Sequence, residues 1–417
     1  MVKNTGIFQN NVILPLLGLG FIFRYIFSSI IHPLSQYQFS DMQSYLITAT
    51  RISRNFISPI NIFYPPGYSL FLHFISKISQ DNFYQLVAIA QSFIGIFTCL
   101  LLFDIARKII SKRLAIVFLF TLTIYYPWID YTGYLLSENL ATFFLVLITW
   151  LTYKIVTKKI NYILMILLPP IVALGSMVRA NLFISGLLCL TWIIINKKTY
   201  HHLDQLLTLS TSILFSALFM ISINYSLSGI STAFSLNGGL VFAQGQCRYL
   251  SVNDSAGWCF GPPVFVQRGF LKEKTFDQPF TNSDYFYRHG LDCLKQEPTL
   301  ILHKFTDLYY LFFGNVSWPS SNQPGFDIAM RYSHYAFAGL VIPGLLLGLY
   351  RYLFLSKAKK KLVTPLYLVI LSLIITTVIY HADIRYRVPF DGIFILLALW
   401  GYQVSVSRLL LRPGSRN

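Results

Sequence analysis

The chain has 417 residues, of which 55% are apolar, 17% aromatic and 12% charged. A water-soluble domain carries about 25% charged residues, so this balance excludes a soluble enzyme or soluble binding module and points to an all-α polytopic membrane protein. The formal net charge of +17 invites a nucleic-acid reading, which its distribution along the chain then removes.

The N-terminal stretch "MVKNTGIFQNNVILPLLGLGFIF" lacks a small-x-small cleavage site before His32 and reads as a retained first span. Apolar runs near the roughly 20 residues needed to cross a bilayer predict about ten spans, near 7–28, 84–106, 114–129, 138–155, 161–178, 181–196, 206–228, 335–355, 363–380 and 389–407. Between the first two lies an outer loop, 29–83, with predicted helices at 40–53 and 66–79. The second of these is too short to span, carries His73 and Lys77, and suits an interfacial or re-entrant position. The segment 229–334 is rich in Gly, Pro, Asn, Tyr and Trp and reads as an extracytoplasmic unit ending in an amphipathic helix over 298–313. Three parts follow: an N-terminal transmembrane module 1–228, the outer segment 229–334, and a C-terminal transmembrane module 335–417.

With both termini inside, the short inner segments hold 18 of the 33 Lys and Arg and only two acids, Asp104 and Asp204. The inner face thus carries +16 of the +17, as the positive-inside rule predicts. The charge encodes orientation and contact with anionic lipid, and no nucleic-acid partner is expected. No Walker or Gly-x-Gly-x-x-Gly sequence and no internal repeat is present. Polar chemistry is therefore expected on the extracytoplasmic side.

Asp41 opens the first outer helix, "FSDMQSYLITATRISRN", with Tyr45, Thr48, Ala49 and Ile52 on its face. The plainer reading is a helix N-cap by Ser40 or Asp41. Tyr64-Pro65-Pro66-Gly67-Tyr68 makes a rigid corner and starts a helix. It is either punctuation or a device that aims aromatic rings at a sugar or lipid. Glu138, in "LLSENLATFF", stands at the outer mouth of a span, eight residues after Asp130; a helix-dipole acid is the simple alternative. In "HADIRYRVPF", Arg385 and Arg387 flank Tyr386 just before the last span. Arginines on the outer side oppose the topological rule and could bind phosphate through their paired donors, or lipid phosphates in general. Arg24 and Arg179 have the same ambiguity.

Cys99 and Cys189 fall inside spans, whereas Cys247, Cys259 and Cys293 are outside. A Cys247–Cys259 bridge would leave Cys293 odd. The outer histidines (His32, His73, His289, His303, His334, His381) include no close pair at metal-ligand spacing on one helix, so no tightly bound zinc is expected.

The ordered set of these motifs resembles the GT-C glycosyltransferases. Arginine ends span one, Asp-x-x-x-Tyr lies in the first outer loop, Tyr-Pro-Pro-Gly-Tyr starts a helix, glutamate opens an outer span, and Arg-Tyr-Arg-x-Pro precedes the last. The likeness is to family 39 and related bacterial enzymes, the protein mannosyltransferases and lipid A aminoarabinose transferases, over roughly 10–195 and 335–405. It implies a bacterial inner-membrane enzyme that takes sugar from a polyprenyl-phosphate donor to a glycan, lipid or protein hydroxyl. It also implies Asp41 as the acid that activates the acceptor. Arg385 and Arg387, with Arg24, would hold the donor phosphate, while Tyr45, Tyr64, Tyr68, Glu138, Arg179 and Tyr386 would line the substrate site. Some aminoarabinose-type enzymes have Glu-Lys-Pro where this chain has Tyr64-Pro65-Pro66, so one acid that could help hold a metal is missing. The cofactor expectation is none, with a divalent metal as the alternative.

The chemistry is coherent on its own terms. A polyprenyl phosphate leaves as an anion without a proton, and guanidinium groups can meet its charge. The acceptor hydroxyl needs a base, which one carboxylate supplies. Attack opposite the phosphate inverts the anomeric centre. Two rivals stay open: an O-antigen polymerase or ligase, to which Arg288, His289 and His303 would belong, and a lipid-linked sugar flippase.

Overall fold

The computed structural model describes residues 11–157, 162–196, 202–247, 251–253, 258–259, 278–314 and 324–410. The start of the first predicted span, and most of the outer segment between 254 and 277, lie outside these.

The N-terminal module runs α1 Ile13–Ile26, α2 Asp41–Ser53, α3 Gly67–Ile78, α4 Phe83–Ile109, α5 Lys112–Ile124, α6 Tyr126–Asp130, α7 Glu138–Thr157, α8 Tyr162–Val178, α9 Leu182–Asn196 and α10 His202–Ser228. The segment 229–334, expected outside the membrane, holds α11 Gly238–Gln246, a short antiparallel pair (β1 Ser251–Asn253, β2 Trp258–Cys259), α12 Ser283–Gln296 and α13 Leu300–Phe313. The chain closes with α14 Pro324–Leu353, α15 Lys357–Ile379, α16 Ile384–Arg387 and α17 Asp391–Leu410.

Among the described residues, seven helical segments are long and apolar enough to cross a membrane: Ile13–Ile31, Phe83–Ile109, Glu138–Thr157, Leu206–Ser228, Gly325–Leu353, Lys359–Ile379 and Ile384–Val406. An eighth is the pair α5–α6, bent by 45°. Tyr125 is extended there and Pro127 sits in the first turn of α6, so the α5 ladder cannot continue through it. The apolar helices α8 and α9 are shorter, at 17 and 15 residues. The count of about ten is thus reached only with the bent pair and these two included.

Two boundaries differ from expectation. The span expected at 335 begins at Pro324, because α14 is a single helix of 30 residues, about 45 Å long. The apolar run marked only its lipid-crossing part; the polar turns "PGFDIAMRYSHY" continue the helix outward. The last span, in turn, is entered through the short helical turns Ile384–Arg387 and Val388–Phe390.

In the last span 78% of the apolar window is buried, against 61% in α7 and 17% in α10, so α17 and α7 are central and α10 faces lipid. α14 and α17 cross at Gly344 and Gly348, where a Cβ on Gly344 would lie 2.7 Å from that of Ala398. Small residues four apart give such helices a close approach that hydrocarbon itself does not drive. Outside, α2 and α3 pair, and α3 rests on α8. Gly67 allows this, since a Cβ there would fall 2.7 Å from the Met177 backbone. The Pro-Pro-Gly corner therefore serves a docking contact.

Cys247 pairs with Cys293, linking α11 to α12, and not with Cys259, the pairing that the sequence left open. The partner is set by packing: Leu240, Ala243 and Phe286 form a buried cluster that lays the two helices side by side. The bridged cysteines and His289 are the one three-residue group of metal-ligand type among the described residues. With both sulfurs in a disulfide, that group has no thiolate to offer a metal.

Candidate active site

Asp41 is the first residue of α2, and Ser40 before it has φ +51°, an uncommon backbone for a residue other than glycine. No side-chain capping bond starts the helix. Instead the Asp41 carboxylate turns to tertiary partners: Tyr64 Oη donates to Oδ1 at 3.0 Å and Arg385 Nη1 to Oδ2 at 2.7 Å. The capping reading of Asp41 is thereby set aside.

Glu138 opens α7 and is fully buried. Its Oε1 accepts from Arg385 Nε and, at 3.2 Å, from Arg179 Nη1. The Arg179 guanidinium also lies 5.0 Å from the Tyr386 ring centre. Two carboxylates from α2 and α7 and two guanidinium groups, one just after α8 and one from α16, thus form one connected ion cluster, with Arg385 between the acids. Asp383 caps α16 by accepting from the Arg385 amide at 2.8 Å. Burial pushes its carboxyl up from the ordinary range.

An aromatic wall backs Asp41. Tyr45 lies 5.7 Å from Tyr64 and 5.1 Å from Tyr68, ring centre to ring centre. Tyr45 Oη donates to Ser137 Oγ at 3.4 Å, and Tyr68 Oη to Gln91 Oε1 at 3.1 Å. Gln91 Nε2 in turn holds the carbonyls of Thr132 and Tyr134, fixing the turn that leads into Glu138. Burial, with Asp41 nearby, pushes the Tyr45 phenol up to about 12 and raises that of Tyr64. Both act as neutral donors.

Two of the expected phosphate ligands do not join this cluster. Arg387 is fully buried. It donates to Asp391 Oδ1 at 2.9 Å, contacts His334 Nδ1 at 2.7 Å, and stacks 4.0 Å from the Phe337 ring centre. Two positions along a helical turn are about 200° apart, so Arg385 and Arg387 cannot face the same way. Arg24 is also fully buried and donates to the Leu122 and Thr123 carbonyls at 3.0 and 3.1 Å. These belong to the last turn of α5, which the bend leaves short of intrahelical donors, and Arg24 supplies them. Arg24 also lines, with Glu138, Asn139 and Thr142, a cavity of about 10 Å³, space for one water.

Gln91, Ser137 and Asp391 were not among the expected site residues, and His381 was weighed only as a metal ligand. Asp391 had a visible signal, four residues after Arg387 on one helical face; Gln91, mid-span in an apolar helix, had only its polarity. His381 Nε2 lies 3.3 Å from Tyr386 Oη, and burial pushes its imidazole down to about 4. Arg288 and His289 sit on α12, where His289 stacks on Tyr285.

As to a divalent metal, Asp41 and Glu138 are the acids that could share one, and Arg385 fills the position between them. The donor set in this arrangement matches a guanidinium and does not fit a divalent metal ion.

Three comparisons bear on this geometry. A family model for dolichyl-phosphate-mannose-protein mannosyltransferases matches residues 64–225. No curated protein matches the sequence. Among solved structures, the archaeal oligosaccharyltransferase AglB from Archaeoglobus fulgidus, in complex with an inhibitory peptide and a dolichol-phosphate, is similar with a TM-score of 0.53 at 13% identity. The likeness covers 98% of this chain and 53% of that one, so this chain spans about half the length of AglB.

Proposed function

We propose, from the premise that the chain is a GT-C superfamily membrane protein, that it transfers a sugar from a polyprenyl-phosphate donor to a hydroxyl acceptor on the extracytoplasmic face. The observation that carries this reading is the Asp41–Arg385–Glu138–Arg179 cluster, built from four separate parts of the chain. It joins an acid able to take a proton to two guanidinium groups able to meet a phosphate. The acceptor is a glycan, lipid or protein hydroxyl.

In the reaction, Asp41 accepts the hydroxyl proton as the acceptor oxygen bonds to the anomeric carbon. The carbon–oxygen bond to phosphate breaks opposite to it, which inverts that centre. The bonding pair leaves on the phosphate, whose charge Arg385 and Arg179 neutralise. Tyr64 and Arg385 each donate to one oxygen of Asp41, which stabilises the carboxylate and makes it a weaker base. A donor phosphate competes for Arg385, and its arrival frees Oδ2. The donor therefore binds first.

The test uses purified protein in liposomes with polyprenyl-phosphate sugar labelled in both parts. Release of free polyprenyl phosphate, dependent on an added hydroxyl acceptor, is the expected result. Movement of the intact lipid-sugar between leaflets without bond cleavage would assign a flippase instead.

A further inference from the structure

Helix α13, "LILHKFTDLYYLFF", is amphipathic in the reverse sense to a helix in water. Its charged pair faces the protein. Lys304 is 7% exposed, donates to the carbonyls of Gly245 at 2.6 Å and Tyr380 at 2.8 Å, and lies 3.4 Å from Asp307. The outward face is apolar: Ile301, Phe305, Tyr309 and Phe313, spaced four apart, are 60%, 71%, 56% and 45% exposed. A helix bathed in water turns its charges outward; one bathed in hydrocarbon does the opposite.

Its neighbours place it at membrane depth. α13 packs on α14, α15 and α16. Phe312, near its C-terminal end, lies 5.6 Å from the ring of Phe394 in the first turn of the last span. The exposed apolar surface continues onto α15, where Val378 and Ile379 are each 40% exposed. Fourteen residues reach about 21 Å, short of the roughly 30 Å hydrocarbon core, so α13 enters the bilayer without crossing it.

We infer that α13 is inserted in the outer leaflet, with its Ile301–Phe305–Tyr309–Phe313 stripe against phospholipid acyl chains. The inner face of the same helix holds the Tyr380 carbonyl through Lys304, so the turn leading to Arg385 is anchored to a lipid-embedded element. This placement does not depend on the proposed activity.

Full-length protein in phosphatidylcholine–phosphatidylglycerol liposomes, with a nitroxide on Phe305→Cys or on Ile301→Cys, tests it. Collision with oxygen and with a water-soluble nickel chelate is read for each, with the unsubstituted protein as background. Leu340→Cys on α14, where Leu340 is 69% exposed, is the lipid reference. Lys295→Cys on α12, where the side chain is 76% exposed, is the water reference. Labels at both α13 sites should match Leu340→Cys, with oxygen collisions high and nickel collisions lost. Nickel collisions at the Lys295→Cys level would place α13 in water, and shielding from both quenchers would mean that protein covers the stripe. Either result overturns the inference.

Discussion

Arg385 stands between Asp41 and Glu138, while Arg387, two residues on, reaches neither. That contrast separates two kinds of loss. Arg385→Lys keeps the charge but cannot bridge two carboxylates with a planar fork. It should lower transfer strongly while the thermal midpoint in detergent stays near the parent's. Arg387→Met leaves the buried Asp391 without its charged partner and with only the Tyr125 hydroxyl at 2.6 Å; breaking a buried ion pair typically costs about 3–5 kcal/mol, and the variant should be read first as a loss of folded protein. A lowered midpoint for Arg385→Lys with normal transfer would reverse the assignment. His381 adds a pH dependence. Its imidazole is held down to about 4, below the ordinary 6.5, so the folded state favours the neutral ring. Stability is then full above about pH 6.5 and declines as pH falls from there towards 4. Asp383 is raised and titrates with the opposite sign, so the difference between the parent and His381→Gln isolates the histidine. That difference should shrink over this window; a constant difference would contradict the assignment.

Elements explain what the sequence made legible. Helix positions followed from apolar run length, because hydrocarbon admits only satisfied backbone. Asp41, Tyr64, Glu138, Arg179 and Arg385 were all visible as charges or rings at outer helix ends, where a polar group costs least. Less legible was direction: "RYR" reads as a double clamp until the chain there is seen to be helical. The outward extension of α14 was hidden because a polar turn in water and a polar loop look alike in composition. The Cys247–Cys293 partner was hidden as well, since spacing carries no record of which helices pack. That bridge closes a separation of 46 residues, worth about 4 kcal/mol by chain entropy. Reduction, or Cys293→Ser, should lower the thermal midpoint and loosen α11 and α12, as read by faster proteolysis between 229 and 299. An unchanged midpoint and cleavage pattern would show that the apolar contacts around Phe286 suffice without it.

At the scale of the whole molecule, the basic residues concentrate on the proposed inner face, and the ion cluster lies at the opposite ends of the helices. A cysteine replacing Lys360 should react with an impermeant maleimide only from the cytoplasmic side of sealed vesicles. One replacing Lys295 should react only from the other; reversed labelling would invert the topology. In the proposed reading, a donor in the outer leaflet would meet Arg385 and Arg179, and a hydroxyl from outside would meet Asp41. The central claim is that Asp41 takes that hydroxyl's proton. It is tested most directly by single-turnover transfer with donor already bound, comparing the parent with Asp41→Asn in the same liposomes. The account predicts that the asparagine variant inserts normally and binds donor at least as well as the parent, because the carboxylate no longer competes for Arg385, yet transfers about 10²–10⁴-fold more slowly. Transfer at the parent rate would contradict it.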